Sequence, residues 1–287
     1  MEILRKPIPN LLRMLRIVYD NDFPPYPLEN LGWPPRWQDE HAATHAEALA
    51  WQPDDNGRSF YFSGQLVPVA AGDLPALTCA EELPERPDDG LKWLRYRHII
   101  PSSAHWASAA TGNLPSDLKQ SGVIPNNPQL ITDMNAYNTP ETATHHPAAS
   151  MGYNWTGELA LSLDVTPFEP ENTESADLVL ELVQGNIPMR ARFDLIHKTV
   201  TLEMPTVPLF ESQTVPCDLV PGKTYSIFFA NIDEQLRVLV NKKELAFSGE
   251  GKYDSLCSPF STVGDAPMPR NRDPGPLDLT PVSIGAN

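Results

Sequence analysis

The sequence predicts a mainly β protein whose strands form an antiparallel β-sandwich, with a short N-terminal helix and long proline-rich loops. Residues 225–247 contain two apolar runs of period 2, separated by residues 231–234, where asparagine and aspartate suit a tight turn. From residue 155 onward, turn residues recur about every ten positions, which is typical of a meander in a sandwich or barrel. The 31 prolines cluster in the connections, as expected if the apolar runs are strands, because proline cannot donate a hydrogen bond inside a sheet.

The N-terminal part is predicted to be a helix followed by a strap. Apolar residues lie at helical spacing between residues 11 and 18, after the N-cap residue Asn10, so we predict a helix of about three turns over residues 10–20. The prolines of the next segment predict an irregular strap, in which Trp33 and Trp37 would lie flat on the main domain. Residues 40–50 could form another short helix.

The middle of the chain contains two predicted strands and two predicted loops. Residues 59–68 predict a strand broken at Gly64, and the acidic, proline-bearing residues 70–90 predict a loop. Residues 92–100 have strong β-propensity and predict a strand with one polar face, carrying Arg95 and Arg97. Residues 102–150 show little periodicity, which predicts a long surface excursion or an insertion.

The C-terminal half predicts the meander itself. Alternating apolar residues predict strands over residues 159–165, 178–182, 189–195 and 200–204, with turns at Gly185–Asn186 and at His197–Lys198. Residues 205–221 and 249–276 are proline-rich and predict connections. An apolar run restarts at Leu277, so we expect the natural chain to continue and an unpaired sheet edge to lie where this sequence ends.

These elements predict two parts of unequal size. The first, residues 1–58, contains the N-terminal helix and the proline- and tryptophan-rich strap. The second, residues 59–287, contains the sandwich, with the long excursion at about residues 102–150. A chain of 287 residues is long enough to bury a substantial core without disulfide bonds.

Charge and cysteine content exclude several classes of function. Lys and Arg number 21 against 37 Asp and Glu, a net charge of −16, which argues against a nucleic-acid binder and against a polybasic membrane anchor. Cys79, Cys217 and Cys257 allow at most one disulfide bond and have no metal-binding spacing. No run approaches the roughly eighteen apolar residues of a membrane span, so any membrane anchor would lie outside this sequence.

Two histidine pairs were considered as metal ligands. His41 and His45 are four residues apart, which would place them on one helix face, but no HExxH pattern and no third ligand accompany them. His145 and His146 are adjacent, and adjacent side chains of an extended chain point apart. We therefore expect surface histidines and assign no metal ligand.

Hydrolytic chemistry is not indicated either. The G-x-S-x-G signature of a nucleophile elbow is absent. The carboxylate pairs Asp88–Asp89 and Asp233–Glu234 are sequence neighbours at turns, whereas a glycosidase needs two carboxylates facing each other across a cleft about 5 to 10 Å wide. No catalytic or cofactor-binding residue is assigned, and no cofactor is expected.

Tryptophan is the one residue type that suggests a ligand. Exposed indole rings can stack on sugars, although most tryptophans of β-rich domains are core or strap residues. Trp106, at the edge of the long excursion, is the candidate for a carbohydrate platform. The other five are Trp33, Trp37, Trp51, Trp93 and Trp155.

Two regions of the sequence resemble a known family. The run RKPIPNLLRMLRIVYDNDFPPYPLENLGWPPRW resembles the start of the large extracytoplasmic insert of long-insert bacterial type I signal peptidases. The later segments WLRYRHIIPS, WTGELALSLDV, LVLELVQG, YSIFFANIDEQLRVLVNKKELAFSG and LDLTPVSIGAN resemble the same insert in the same order. The resemblance covers most of the chain and implies a sandwich of the concanavalin A-like or laminin G-like type.

The catalytic boxes of that family are missing. Ser150–Met151 is followed by Gly152–Tyr153 and not by the proline of a Ser-Met-x-Pro box, and Gly264–Asp265 leads into Ala266–Pro267 and not into a GDN box. No lysine has the sequence context of the family's general base, which must be desolvated beside the serine.

The resemblance therefore implies a non-catalytic segment on the extracytoplasmic face of a membrane-anchored signal peptidase. Its partners would be preprotein substrates or the membrane-anchored catalytic core. Two alternatives remain open: a carbohydrate-binding or adhesion module of laminin G-like type, and a glycoside hydrolase.

Overall fold

The computed structural model describes residues 4–30, 33–41, 48–54, 56–68, 89–101, 103–112, 128–133, 154–169, 174–253 and 274–287. Two compact units interleave along the chain. Unit 1 comprises Met1–Ile8, Asp88–Leu91 and Gly157–Asn287, and unit 2 comprises Pro9–Pro87 and Lys92–Thr156. The sequence, in comparison, predicted a single boundary after residue 58.

The described elements are mostly short strands. In chain order they are α1 (Ile8–Met14), α2 (Tyr26–Glu29), β1 (Trp37–Asp39), β2 (Ala48–Pro53), β3 (Phe60–Pro68), β4 (Lys92–Tyr96), α3 (Ser103–Thr111), β5 (Leu159–Val165), β6 (Asp177–Gln184), β7 (Ile187–Asp194), β8 (Thr199–Glu203), β9 (Gln213–Pro216), β10 (Tyr225–Asn231), β11 (Leu236–Val240), β12 (Lys243–Glu244), a 3₁₀ turn (Pro276–Leu279) and β13 (Val282–Ala286). No helix among the described residues is long and apolar enough to cross a membrane.

Unit 1 is an antiparallel β-sandwich, as the sequence predicted. One layer has the strand order β13-β6-β7-β8-β9, and the other has the order β12-β11-β10-β5. Inward side chains of both layers form the core, and Leu180, Phe193, Ile227, Phe229 and Val238 are each at most 1% exposed. The alternation of apolar residues builds this core because successive side chains of a strand point to opposite faces.

Tight turns set the registers of the meander. Asn186 and Gly185 both have positive φ, as a two-residue hairpin turn between β6 and β7 requires. Asp233 and Glu234 also have positive φ at the turn between β10 and β11, which confirms the turn predicted there. The turn predicted at Lys198 is confirmed by its φ of 56°.

Two features of unit 1 differ from the sequence prediction. The connection predicted over residues 205–221 contains β9, which pairs with β8 over four residues. The last strand, β13, pairs with β6 over five residues, so the apolar run that restarts at Leu277 becomes a 3₁₀ turn and a paired strand.

Unit 2 contains α2, α3 and two strand pairs, β1 with β4 and β2 with β3. The strand predicted over residues 59–68 is confirmed as β3. Gly64 has a φ of +76°, and the pairing of β3 with β2 shifts register between Leu49 and Trp51. Residues 63–66 of β3 are the extra residues at this shift, so the predicted break is a bulge of β3 that contains the glycine.

Several boundaries predicted in unit 2 were wrong. The N-terminal helix covers Ile8–Met14, so Asn10 lies inside it and is not its N-cap. Residues 48–50, predicted as helix, belong to β2. Residues 103–111, predicted as part of an irregular excursion, form α3.

The polar side chains predicted on one side of β4 are buried. Arg95 and Arg97 are 2% and 1% exposed, so both faces of the strand are buried. The predicted loop at residues 70–88 and most of the excursion lie outside the described residues.

Candidate functional site

Three of the six tryptophan side chains pack against other side chains and do not form an open surface. Trp51 and Trp93 are buried, and Trp51 Nε1 donates a hydrogen bond to the Lys92 carbonyl at 2.9 Å. Trp37 packs on Tyr96 with ring centroids 5.5 Å apart. These three tryptophans are therefore core or strap residues.

The remaining three tryptophans are half-buried. Trp33 packs edge-on against His105, with centroids 4.8 Å apart, and Trp155 lies at an isolated bridge to Thr132. Trp106 lies on α3, and its indole Nε1 is enclosed by protein without a hydrogen-bond partner. Because this polar atom is covered and the residue is only partly exposed, Trp106 is a weak platform for a sugar.

The histidine and carboxylate pairs do not form a catalytic centre among the described residues. The backbone N–H of His41 donates to Asp39 Oδ1 at 2.8 Å, while His45, His145, His146, Asp88, Ser150 and Gly264 lie outside the described residues. Asp233 lies at a turn and pairs with Lys6 at 2.5 Å. Within the described ranges, no group of three metal-ligating side chains could hold an ion.

Polar and charged side chains lie on one side of the layer that contains β6 to β9, opposite its core side. Alternation along each strand places these side chains on one face, and the registers place Glu181 opposite Arg190 and Thr201 opposite both Arg192 and Thr214. We call this surface the polar face; it consists of Asp177, Glu181, Arg190, Arg192, Thr201, Glu203 and Thr214.

Arg192 is the centre of the accessible part of the polar face. Its Nη1 donates to Asp177 Oδ2 at 2.8 Å, and its Nη2 donates to Glu203 Oε1 at 3.1 Å. Burial lowers the pKa of Arg192, but Glu203 and then Asp177 outweigh burial and raise it overall. The side chain is 27% exposed, so the guanidinium is fixed by two carboxylates and still reaches solvent.

A second ion pair lies deeper in the same face. Arg190 Nε donates to Glu181 Oε2 at 2.8 Å, and Arg190 Nη1 lies 2.9 Å from Asp89 Oδ2. The Glu181 side chain is fully buried. This ion pair forms the buried base, or floor, of the polar face. It is held in place because separating the two buried charges would cost a large desolvation free energy.

Hydroxyl groups border the ion pairs on the side of β9. Thr201 Oγ1 and Thr214 Oγ1 lie 2.9 Å apart, across the pairing of β8 with β9. Each hydroxyl can donate and accept, so this pair can exchange its internal bond for bonds to a ligand. Thr214 is exposed and Thr201 half-buried.

The polar face has an excess of negative charge. Its two arginines are held by four carboxylates, namely Asp177, Glu181 and Glu203 together with Asp89. Such a surface repels anions such as phosphate groups. It offers fixed donors and acceptors to an uncharged polar ligand.

Unit 2 has its own buried polar cluster. Tyr96 Oη lies 3.0 Å from His98 Nδ1, and both residues are less than 5% exposed. Burial raises the pKa of Tyr96 to about 12, partly opposed by Arg36. Burial, reinforced by Arg36, lowers the pKa of His98 to about 3, so both groups are neutral near pH 7.

Sequence reasoning did not identify the polar face. The feature of the sequence that could have indicated it is a set of charged residues at outward positions of predicted strands, namely Glu181, Arg190, Arg192 and Glu203. Outward charges are ordinary on a sandwich, so only the register, which brings opposite charges together, distinguishes this face.

No family model matches the sequence, and no curated protein matches it. Among solved structures, the chain is similar to sheep galectin-11 in complex with glycerol, at 13% identity and a TM-score of 0.28, over 47% of this chain and 85% of that one. It is also similar to the carbohydrate-binding module CBM66 from Bacillus subtilis, at 10% identity and a TM-score of 0.28, over 46% of this chain and 66% of that one. These similarities assign no ligand and no activity to this protein.

Proposed function

We propose that this protein is a carbohydrate-binding sandwich and that the polar face of unit 1 holds a neutral glycan. The observation that carries the proposal is the fixed position of Arg192 between Asp177 and Glu203, beside the hydroxyl pair of Thr201 and Thr214. A sugar presents several hydroxyls that both donate and accept hydrogen bonds. Planar charged groups and hydroxyls held in fixed positions satisfy such a ligand.

The charge of the polar face selects the class of glycan. Four carboxylates around two arginines disfavour sulfated, phosphorylated and carboxylated sugars. We assign the face a non-catalytic binding role, because Asp177 and Glu203 are both held by hydrogen bonds from the Arg192 guanidinium.

The test compares two matched threonine pairs. Thr201→Val with Thr214→Val removes both hydroxyls from the polar face, whereas Thr166→Val with Thr224→Val removes an exposed hydroxyl pair of the other layer, 2.8 Å apart. Each lost hydrogen bond to a ligand contributes about 0.5–1.5 kcal/mol, so we expect the first double variant to weaken glycan binding about tenfold and the second to leave it unchanged.

Binding is measured with the full chain on an array of neutral and acidic glycans, followed by calorimetry on the best neutral hit. Equal affinity of the two double variants would contradict the polar face as the site. Binding confined to acidic glycans, or to none, would contradict the proposed function. Trp106→Ala is a further comparison. If glycan binding were lost in that variant and kept in the threonine variants, the binding site would lie at α3.

The sequence resemblance favours a second function. Residues 5–37 resemble the insert of long-insert signal peptidases, so the chain is also a candidate for a non-catalytic extracytoplasmic segment that positions preprotein substrates or the catalytic core of a membrane-anchored peptidase. Sequencing the gene on both sides tests this. A membrane span, a Ser-Met-x-Pro box and a GDN box are expected, and an isolated reading frame without them would exclude this role.

A further inference from the structure

The sheet that contains β5 has a long open edge. Strand β5 pairs with β10 over seven residues, from Leu159 opposite Asn231 to Val165 opposite Tyr225. It is the last strand of its layer, and no strand among the described residues pairs with its other side. An edge of this length offers backbone donors and acceptors to another strand.

Side chains at this edge are less covered than those one strand further in. Leu163 and Val165 face the core but are only half-buried, whereas their partners on β10, Ile227 and Tyr225, are 0% and 5% exposed. Covering this edge with another strand would therefore remove apolar area from water, in addition to pairing the backbone groups.

The sequence of β5 is complementary to itself in the antiparallel direction. If two copies pair symmetrically about Ser162, Leu161 lies opposite Leu163 of the second copy, and Leu159 lies opposite its Val165. All four are inward residues, so both core faces continue across the junction.

The acidic residues at β5 are also compatible with this register. On the outward face, Asp164 lies opposite Ala160 of the second copy, and Glu158 lies opposite Thr166. No like charges lie directly opposite each other in this register.

Two other strands at the ends of the layers, β9 and β12, are poorer templates. Strand β9 has four residues and ends in Pro216, which cannot donate a hydrogen bond, and β12 has two residues. The continuous alternation of β5 distinguishes it from both.

We propose that β5 is the interface of a symmetric homodimer, in which the β5 edges of two copies pair antiparallel about Ser162 and join their four-stranded layers into one continuous sheet. The partner is a second copy of this chain, because the register places the apolar positions of β5 opposite one another and places no like charges directly opposite each other.

Two substitutions at one position test the register. Ala160→Glu places a carboxylate opposite Asp164 of the second copy, and Ala160→Lys places an ammonium there. The dimer contains this pair twice, so we expect the dimer Kd of the two variants to differ about tenfold or more, with the lysine variant tighter. Sedimentation equilibrium of the full chain over a concentration series measures both constants, and urea unfolding checks that both variants fold.

A cross-link tests the symmetry. Ser162 lies on the proposed twofold axis, so Ser162→Cys should give a disulfide-linked dimer under mild oxidation. Ser226→Cys, at another exposed position on β10, should not form this disulfide, and the wild-type chain controls for Cys79, Cys217 and Cys257.

The outcomes separate the alternatives. A wild-type chain that stays monomeric at about 100 μM, well above the concentrations at which specific dimers of micromolar affinity form, would overturn the proposal. Equal Kd values for the two Ala160 variants, or cross-linking of Ser226→Cys as efficient as that of Ser162→Cys, would show that the copies associate elsewhere. Pairing of β5 with an added peptide of a different sequence, in a chain that does not self-associate, would identify the edge as a peptide site and also overturn it.

Discussion

Glu181 Oε2 accepts a hydrogen bond from Arg190 Nε at 2.8 Å, and the glutamate side chain is fully buried on the outward face of its strand. A buried ion pair adds little net stability over an apolar pair of the same shape, but removal of one partner leaves a charge without compensation in a medium of low polarity. This relationship makes the floor of the polar face sensitive to substitution.

We expect Arg190→Met to lower the free energy of unfolding by about 3–5 kcal/mol, because it removes the arginine that is hydrogen-bonded to the fully buried Glu181 carboxylate. Lys198→Met breaks an exposed pair with Asp218, 3.2 Å long, and should cost less than about 1 kcal/mol. Urea unfolding of both variants at pH 7 measures the difference. Similar losses would show that the burial of Glu181 does not control the effect.

Stability should fall as the solution is acidified below pH 6.5 because of His98. Burial and Arg36 lower its pKa in the folded state to about 3, against an ordinary value of 6.5. Between these two values the unfolded chain binds a proton that the folded chain does not, so the free energy of unfolding decreases as pH falls, by up to about 1.4 kcal/mol per pH unit for this one group.

His98→Gln tests this assignment because it removes the titrating group and keeps a polar side chain near Tyr96. We expect the variant to be less stable than the wild-type chain at pH 7 and to lose less stability between pH 6.5 and pH 4.5. Denaturant unfolding at several pH values measures both slopes, and carboxylates contribute equally to each chain. Identical slopes would assign the acid sensitivity to other groups.

Asp278 should be critical for the connection between the β6–β7 turn and β13. The side chain is 1% exposed and accepts hydrogen bonds from the backbone N–H groups of Gly185, Asn186 and Gly275, each at 2.9 Å. Asp278→Ala leaves three donors without this acceptor, so we expect a loss of about 2 kcal/mol or more.

Hydrogen exchange at Gly185 and Asn186 locates this effect, since their amides should exchange faster in Asp278→Ala. Asp54→Ala is the control, because Asp54 is exposed and caps a surface turn through Arg58 and Ser59. An equally large fall in melting temperature for the control would mean that burial of the aspartate is not the cause.

Substitution of two glycines by alanine distinguishes the cost of backbone strain from the cost of a steric clash. Gly222 and Gly251 have φ of +75° and +67°, but a Cβ at Gly222 meets nothing within 4 Å, whereas a Cβ at Gly251 would lie 2.0 Å from the Leu236 carbonyl oxygen. Gly222→Ala should cost about 1–2 kcal/mol from strain alone, and Gly251→Ala clearly more, because the backbone must also move. Thermal unfolding of the two variants measures the difference, and equal losses would contradict it.

The local pattern of apolar residues was sufficient to predict the sandwich layers and their turns. Leu161 and Leu163 alternate with the exposed Ser162 and Asp164, and Asp233–Glu234 interrupts two apolar runs. The strands and the turn therefore follow from period and turn chemistry. The short strand β9 was missed because its prolines and polar residues resemble a loop, and it is defined only by its pairing with β8.

The candidate site could not be predicted in the same way. Arg192 and Glu203 are eleven residues apart, and nothing in either sequence neighbourhood indicates that they meet. Their contact depends on the registers of β6, β7 and β8, which are fixed by the buried faces of those strands. The sequence predicted a polar face that carries Arg95 and Arg97, but it did not predict that both would be buried, since alternation indicates two faces and not what covers them.

The sequence by itself determined the main strands of the sandwich and which of their side chains turn inward, because a strand has a fixed period of two. Only the tertiary structure decided which charged residues share a face of the sheet and which aspartate accepts hydrogen bonds from three backbone N–H groups. It also decided which strand of the described residues has an unpaired edge. Those features depend on contacts between residues far apart in the chain, such as Asp278 with Gly185, and local pattern carries no information about such contacts.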